Sequence, residues 1–516
     1  MHAAVAVEPR PPFGKILIAN RGEIALRVQR TCRDLGIQTV AVYSDPDRNA
    51  LHVRYAHAAY ALGGAAPRDS YLRADKILDI ARRSGAQAVH PGFGFLAENA
   101  EFARAVADAG LVFIGPPAPA MRAMGDKLEA RAHMLAAGVP VVPGTSAPVA
   151  GAADAARAAA AMGYPVMLKA AAGGGGKGIR IVRRAAEMDS AFATAAGESA
   201  SAFGDGRLYL EKFLERPRHV EIQVLADAGG RVLHLGEREC SIQRRHQKLI
   251  EEAPAAWLDA DTRTRMGAAA VAAARAVGYR SAGTVEFLWS DGRFYFLEMN
   301  TRLQVEHAIT EEIYGVDLVE QMIRVAAGEP LGLPEDLAPQ GHAIEVRLNA
   351  EDPDRGFAPS LGRLRNLRLP GGPGVRIDSA AYSGMEVTPY YDSMLGKLIT
   401  WGPDRELARR RMLRALAELH VGGVVTSAGV ALRALRSGEF RRADYDTGTL
   451  ERLLQAPREH PPDLPDDLET VAAIAAALHR QHVAVRGVPP ATAAGASPWV
   501  SLGRRRAFDQ RAPRGA

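Results

Sequence analysis

Between residues 294 and 307 the chain places Glu298, Asn300, Arg302, Gln304 and Glu306 at every second position, with Phe296 and Met299 among them. If 294–298 is a strand and the chain stays extended beyond it, these five side chains share one face. Such alternation of polar groups next to apolar ones fits the wall of a cleft better than a solvated edge. Glu286, in the preceding strand-like run 284–289, is a sixth candidate for that wall. Opposed residues of an antiparallel hairpin have a constant index sum, so Glu286 faces Glu298 only if the loop has an odd number of residues. A three-residue loop over 291–293, with a positive-φ glycine and a bulge, is therefore expected in place of a two-residue Asp291-Gly292 turn. The two carboxylates and the amide oxygen of Asn300 would then converge on a hard cation. Magnesium suits such oxygen ligands and leaves room for phosphate oxygens. Arg302 offers a fork for a small planar oxyanion, and Glu306 beside it is placed as a general base.

Upstream, the first hundred residues alternate strand and helix. Apolar runs at 15–19 and 39–43 flank a segment, 23–35, with Ile24, Val28, Cys32 and Leu35 at helical spacing. Further runs at 87–89 and 112–114 each end in a Pro/Gly turn. The pattern predicts a parallel sheet of βαβ type with ligand-facing loops at the strand ends, Asn20-Arg21-Gly22-Glu23 at the first. From about Lys127 the pattern changes. A strand at 165–170, glycines at 173–176, Lys177-Gly178 and a strand at 179–182 predict a hairpin lid whose backbone N–H groups can cover phosphate. A dinucleotide fingerprint fails because a strand follows the glycines, and the phosphate-loop motif fails because Gly178 follows Lys177. Further on, Gln243, His246 and Lys248 stand in a charge run that alone reads as a solvated face, and Cys240 reads as a buried structural thiol.

Composition narrows the function classes. The 516 residues suggest about three domains, and 47% hydrophobic with 24% charged residues is ordinary for a soluble globular chain. Most of the net charge of +5 comes from Arg504, Arg505, Arg506, Arg511 and Arg514, so the body is nearly neutral and no nucleic-acid partner is expected. Two cysteines, Cys32 and Cys240, fit a reducing compartment, and no apolar run approaches the ~18 residues of a membrane span. A cytoplasmic protein is expected. Only eight of the 64 basic residues are lysine: Lys15, Lys76, Lys127, Lys169, Lys177, Lys212, Lys248 and Lys397. In such a background a lysine marks positions where a compact ammonium is needed instead of a planar fork. Beyond about Pro457 a helix over 466–479, a Pro/Ala/Gly linker over 487–497 and Trp499 read as an appended docking segment.

Long strings make the chain recognisable over about 13–452: Ile18-Ala-Asn-Arg-Gly-Glu-Ile24, His90-Pro-Gly-Phe-Gly-Phe-Leu-Ala-Glu-Asn99, Gly125-Asp-Lys127, Arg218-His-Val-Glu-Ile-Gln-Val224, Arg244-Arg-His-Gln-Lys248, Glu298-Met-Asn-Thr-Arg-Leu-Gln-Val-Glu-His307, Arg347-Leu-Asn-Ala-Glu-Asp352 and Tyr390-Tyr-Asp-Ser-Met394. It resembles the biotin carboxylase family of the ATP-grasp superfamily. The resemblance implies an α/β and α+β multidomain chain: an N-terminal parallel-sheet domain (1–125), an ATP-grasp domain (126–345) with a mobile glycine-rich lid (about 141–213), a C-terminal domain (346–455) and the appended helix and basic tail (456–516). It also implies the chemistry. ATP phosphorylates bicarbonate to carboxyphosphate, which releases CO2 for transfer to N1′ of biotin.

By position, the resemblance assigns ATP contacts to Lys127, Lys169, Glu211, Lys212, Leu214, His219, Gln243 and His246, with Gly174, Gly175 and Gly176 in the lid. Glu211, Lys212 and Leu214 would form the adenine-side hinge, and Lys127 and Lys169 would meet phosphate. It assigns magnesium (or manganese) to Glu286, Glu298 and Asn300. Bicarbonate falls to Lys248, Arg302, Gln304 and the Val305 backbone, its deprotonation to Glu306, and charge on the biotin ureido oxygen to Arg347. Phe93, Lys177 and Ala308 depart from the residues usual in the family, and none is a catalytic group. No methionine precedes a lysine, so the biotin is expected on a separate biotin carboxyl carrier protein. Further expected partners are a second copy of this chain, in a homodimer, and a carboxyltransferase subunit. The expected assembly is an acetyl- or acyl-CoA carboxylase, as in fatty acid biosynthesis, or a pyruvate carboxylase. The alternative is another ATP-grasp ligase of the carbamoyl-phosphate type.

Overall fold

The computed structural model describes residues 11–171, 178–335, 337–457 and 468–485. The chain divides into two units, residues 1–455 and 456–516. In the second, the expected helix spans Leu468–Val485 and exposes Val471, Ile474 and Leu478. The linker and Trp499 lie outside the described residues. Among the described residues no helix is long and apolar enough to cross a membrane.

The first unit opens with a five-stranded parallel sheet in the order Ala58–Ala61, Gln38–Tyr43, Lys15–Ile18, Ala88–His90, Val112–Phe113. Both faces are covered: Leu17, Val40 and Val89 enter one core, Ile16, Ile18 and Ala88 the other. That burial on two sides is why the strands are continuous apolar runs instead of alternating ones. The strand order reverses beside Lys15–Ile18, which puts a crevice at the strand ends. The expected ligand-facing loop there is a correction. Arg21 is committed to Asp47, with Nε at 2.6 Å and Nη2 at 2.8 Å, and lies over the Tyr391 ring. The Tyr391 hydroxyl in turn lies 2.6 Å from both Ser44 Oγ and the Ala65 carbonyl, so the chain's own Tyr390–Met394 motif fills this end. The neighbouring loop, after Ala88–His90, does reach the cleft, through Glu98.

An eight-stranded antiparallel sheet forms the floor of the cleft, in the order Arg293–Asn300, Ser281–Ser290, Arg218–Ala226, Val232–Arg244, Gln247–Ala253, His342–Asn349, Met394–Gly402, Val375–Ser379. Strand alternation sorts its residues. Val220, Ile222, Val224 and Ala226 pack with Met266, Ala270, Ala273 and Ala274 of helix Ala260–Ala276, which leaves His219, Glu221 and Gln223 on the opposite face. A smaller sheet, Arg180–Val182, Val166–Ala170, Leu208–Lys212, has its own core with helices Ala152–Met162 and Met188–Phe203. Its strands flank the glycine run as expected; Gly174, Gly175, Gly176 and Lys177 lie outside the described residues.

The hairpin Ser281–Ser290/Arg293–Asn300 corrects the loop expectation but keeps its consequence. The loop has two residues, Asp291 (φ 50°) and Gly292 (φ 76°), both in the left-handed region that suits a tight hairpin turn. Phe287 therefore pairs with Phe296, and the register then slips so that Glu286 opposes Glu298. The bulge sits at Leu297, within the strand, instead of in the loop. It returns Met299 to the core that holds Phe294 and Phe296, and turns Glu298 and Asn300 to the face of Glu286.

On the far half of this sheet Glu252 is fully buried between His342 Nε2 (2.8 Å), Arg405 Nε (2.7 Å) and the Tyr445 hydroxyl. Burial raises its pKa, but the His342 hydrogen bond and Arg405 outweigh that and hold it at about 2, below the ordinary 4.5. A depressed carboxyl stabilises the fold above the unfolded pKa and loses that contribution as pH falls through the folded one. Glu252→Gln should therefore lower stability at pH 7 by about 3 kcal/mol and flatten the fall in stability between pH 4.5 and about 2, as read by urea unfolding across that range.

Candidate active site

The centre of the cleft is a chain of buried charges. Lys248, on strand Gln247–Ala253, places Nζ 2.5 Å from Glu221 Oε2, 3.0 Å from Glu286 Oε1 and 2.6 Å from Glu306 Oε1. Glu306 shares its other oxygen with Arg347 Nη2 at 3.0 Å, and Arg347 Nε reaches Glu251 at 2.6 Å. Glu221 is held from behind by Arg238 Nε at 2.5 Å. His219 Nε2 stands 2.8 Å from Glu286 Oε2. Burial works against each charge; the neighbours outweigh it at Lys248 and Glu306, while at Glu221 burial prevails and raises the carboxyl. Glu221, Glu286 and Glu306 keep the Lys248 ammonium well above the ordinary lysine value despite its burial. Lys248, Arg347 and Arg238 overcome burial to hold the Glu306 carboxyl well below the usual carboxylate range. Glu251 goes the other way: burial pushes it up to about 7 against the pull of Arg347.

The chain does not stay extended past Asn300, which corrects the five-residue alternation. It bends at Arg302, turns at Val305 and Glu306, and starts the helix His307–Tyr314. The side chains converge nonetheless. Asn300 Nδ2 and Gln304 Nε2 both donate to Glu286 Oε1, at 2.8 and 2.6 Å, and Arg238 Nη2 donates to Gln304 Oε1 at 2.8 Å. Arg302 is held by Glu98 Oε2 (3.0 Å) and Asn300 Oδ1 (2.9 Å). The turn itself is fixed by Lys397, whose Nζ donates to the Val305 carbonyl.

Beside this cluster lies a cavity of about 320 Å³ lined by Lys127, Arg131, Tyr209, Glu211, Glu298 and Asn300. Lys169 pairs with Glu211, and Arg131 Nη1 is 3.5 Å from the same carboxylate. Burial lowers the Lys127 pKa. The Glu298 carboxyl is raised by burial and then by Glu286 opposite it, and among the described residues no hydrogen bond reaches it. A half-buried carboxyl facing another carboxylate across a strand pair is a place that gains from a bound cation. Glu286 and Glu298 fit a hard cation in this sense, while the Asn300 oxygen faces Arg302 in this state. Gln243 donates toward His219 Nδ1 and the Cys240 carbonyl, and opposes Lys248 in register. His246 is exposed in the turn before that strand. Lys212 is engaged away from the cavity, donating to the Gly163 and Tyr164 carbonyls at 2.8 and 3.2 Å, and Leu214 is half-buried. Cys240 is fully buried, and burial raises its thiol well above the ordinary value, as suits a structural thiol.

Sequence reasoning passed over Arg238, Glu221, Glu98, Arg131 and Glu251. Glu221 was within reach, since it shares strand parity with His219 in the string 218–224. Arg238 was not: it lies in the Glu237-Arg238-Glu239 run, and only the fold shows it with partners on Glu221, Gln223, Thr284, Gln304 and Thr310.

Three family models match the chain in succession. "Biotin carboxylase, N-terminal domain" matches residues 12–121, "Carbamoyl-phosphate synthase L chain, ATP binding domain" matches 126–333, and "Biotin carboxylase C-terminal domain" matches 345–452. The chain is 55% identical over 436 residues to a pyruvate carboxylase subunit of Methanothermobacter thermautotrophicus, covering 84% of this chain and 89% of that one. It is 52% identical over 443 residues to the biotin carboxylase of Nostoc sp., covering 86% and 99%. A solved structure of the biotin carboxylase domain dimer of 2-oxoglutarate carboxylase from Hydrogenobacter thermophilus, in complex with MgADP, ADP and bicarbonate, matches with a TM-score of 0.83 at 48% identity, covering 86% of this chain and 99% of that one. Identity at this level, running from the parallel sheet through the cleft to the last strands of the large sheet, means that the chain belongs to the biotin carboxylase family of ATP-grasp ligases, whose reaction is the ATP-dependent carboxylation of biotin.

Proposed function

We propose that the chain uses ATP and bicarbonate to carboxylate biotin carried on a separate carrier protein, as one subunit of a cytoplasmic acyl-CoA or pyruvate carboxylase in which it pairs with a second copy of itself and serves a carboxyltransferase. The observation that carries this reading is the sharing of Glu306. One oxygen meets Lys248 and the other meets Arg347, so the base, the cation for bicarbonate and the cation for biotin converge on one carboxylate.

Each step has residues suited to it. Lys127, which lines the cavity, and Lys169, which pairs with Glu211 of its wall, would take the ATP phosphates, with Glu211 and Leu214 at the adenine end; Lys212 would support that end through the Gly163 and Tyr164 carbonyls. Glu286 and Glu298, with Asn300, would hold magnesium or manganese, which supplies charge neutralisation at the phosphate oxygens. Bicarbonate would sit against Lys248, Arg302, Gln304 and the Val305 backbone. Its charge weakens the field that holds the Glu306 pKa down, so the carboxylate gains proton affinity as substrate binds. Glu306 takes the proton, a bicarbonate oxygen attacks the γ-phosphorus and ADP leaves. Carboxyphosphate splits into CO2 and phosphate, the phosphate accepts the N1′ proton of biotin, and N1′ attacks CO2. Arg347 would stabilise the charge on the ureido oxygen during that transfer.

Phosphate release from MgATP, with bicarbonate and free biotin each present or omitted, tests the reading. Release that depends on bicarbonate and rises with biotin is expected; release stimulated by an amine instead would move the chain to a carbamoyl-phosphate-type ligase. Glu306→Gln should cut bicarbonate-dependent release by about 100-fold or more while ATP still binds. Arg347→Ala should lower biotin carboxylation by about tenfold more than bicarbonate-dependent ATP cleavage. Equal losses in the two assays would refute that division of roles.

A further inference from the structure

Among the eight lysines, Lys397 has no part in the reaction derived above, yet its side chain is fully buried in the middle of strand Met394–Gly402. It stands between Arg347 on one neighbouring strand and Asp378 on the other, in direct register with both. Opposed residues share a face of the sheet, so the strand pair that brings Arg347 to the Glu306 carboxylate also brings Lys397 to the peptide before Glu306. Lys397 Nζ donates to the Val305 carbonyl, and Asp378 Oδ2 lies 3.9 Å behind it.

The following residue closes the arrangement. His307 Nδ1 is 2.7 Å from the Gln304 carbonyl, and because a carbonyl only accepts, Nδ1 carries the hydrogen. Lys397 at 3.4 Å therefore has no acceptor in that nitrogen, and its bond at this turn is to Val305. The carbonyls of Gln304 and Val305 are thus each tied down, one by His307 and one by Lys397, directly before the residue that acts as base. A buried ammonium is costly to maintain for packing alone, even with Asp378 at 3.9 Å and the buried Glu23 and Glu345 carboxyls within its field. A single ammonium suits one carbonyl with one carboxylate behind it, whereas a planar arginine fork would aim its donors elsewhere.

We infer that Lys397 is a positioning residue for the bicarbonate site: through the Val305 carbonyl it sets where the Glu306 carboxylate and the Val305 backbone meet bicarbonate. The inference rests on the reading of Glu306 as base. A misplacement of a reacting group by about 1 Å can cost up to ~100-fold in rate, and here the loss should fall on bicarbonate alone.

The test is steady-state phosphate release by the full chain. Wild type must first show bicarbonate-dependent release that rises with biotin; if it does not, the functional reading fails, whatever Lys397 does. Given that activity, Lys397→Met, which keeps the aliphatic stem, should lower kcat/KM for bicarbonate by about tenfold or more and leave the KM for ATP within about twofold. Lys397→Arg keeps a donor but moves it, and should lower kcat/KM for bicarbonate about threefold with the ATP constant unchanged. Arg376→Met is the control. It removes ion pairs to Glu311, Glu312 and the Asp378 oxygen that also faces Lys397, but leaves the Lys397 bond to Val305 in place, and should lower the melting temperature with little change in either constant. Whichever Lys397 variant folds decides the matter. A bicarbonate constant equal to wild type, or one that changes only in step with the ATP constant or with the pattern of Arg376→Met, overturns the inference.

Discussion

The cleft depends on one interaction repeated in series: Arg238, Glu221, Lys248, Glu306, Arg347 and Glu251 form an unbroken line of alternating charge in which each neighbour is within 3.0 Å. Taking such ions out of water costs several kcal/mol each, and the attraction of a single partner does not reliably offset it. The arrangement survives because its four inner members each have two or more opposite partners and because all but Glu306 sit on strands of one sheet, whose positions are fixed by hydrogen-bonded neighbours. The same geometry explains why a sheet, and not a bundle of loops, carries the chemistry. Alternation sends Val220, Ile222 and Val224 into the core and His219, Glu221 and Gln223 into the cleft, so packing and catalysis are built from the same strand without competing.

Glu306 is the exception, and it is held by other means. It lies outside the sheet, at the start of the helix His307–Tyr314, where the chain has just left the strand Arg293–Asn300. Its place is set by the turn before it, whose carbonyls are bonded to His307 and Lys397, and by the two cations that divide its carboxylate. The strand ahead of that turn is tuned by the bulge at Leu297. Without the register slip, the parity that keeps Phe294 and Phe296 in the core would bury Glu298 and Asn300 there as well, and the carboxylate pair would be lost.

Much of this was legible in the sequence, and the parts that were not share a cause. The parallel sheet, the lid strands on either side of the glycines and the facing of Glu286 and Glu298 follow from patterns within ten or twenty residues. The parity argument reached the right pairing through the wrong device, because the Asp291-Gly292 pair prefers a two-residue turn and the odd residue had to go elsewhere. Arg238, Lys397 and Tyr391 could not be assigned by spacing. Arg238 finds Gln304 and Thr310 more than sixty residues away, and Arg21 finds Tyr391 across most of the unit. The departures Phe93 and Ala308 are equally a matter of tertiary context: Phe93 packs on the core beneath the parallel sheet while its carbonyl accepts from Asn20, and Ala308 is wholly buried against Ile309, Ile313 and Ile399.

A carboxylate whose pKa lies well below the ordinary value looks poorly suited to remove a proton, and the charge line resolves the difficulty. The depression belongs to the state in which Lys248 and Arg347 serve only the protein's own carboxylates. Any oxyanion that enters between Lys248 and Arg302 shares those cations, and each negative charge placed within about 4–6 Å of Glu306 raises its proton affinity. In the proposed reaction the biotin ureido oxygen, as it develops charge, would later compete with Glu306 Oε2 for Arg347. The resting pairing in that reaction therefore keeps the Glu306 carboxylate ionised and in place, and bicarbonate itself would bring it to strength through Lys248. A permanently raised pKa would have kept Glu306 protonated and useless before bicarbonate arrived.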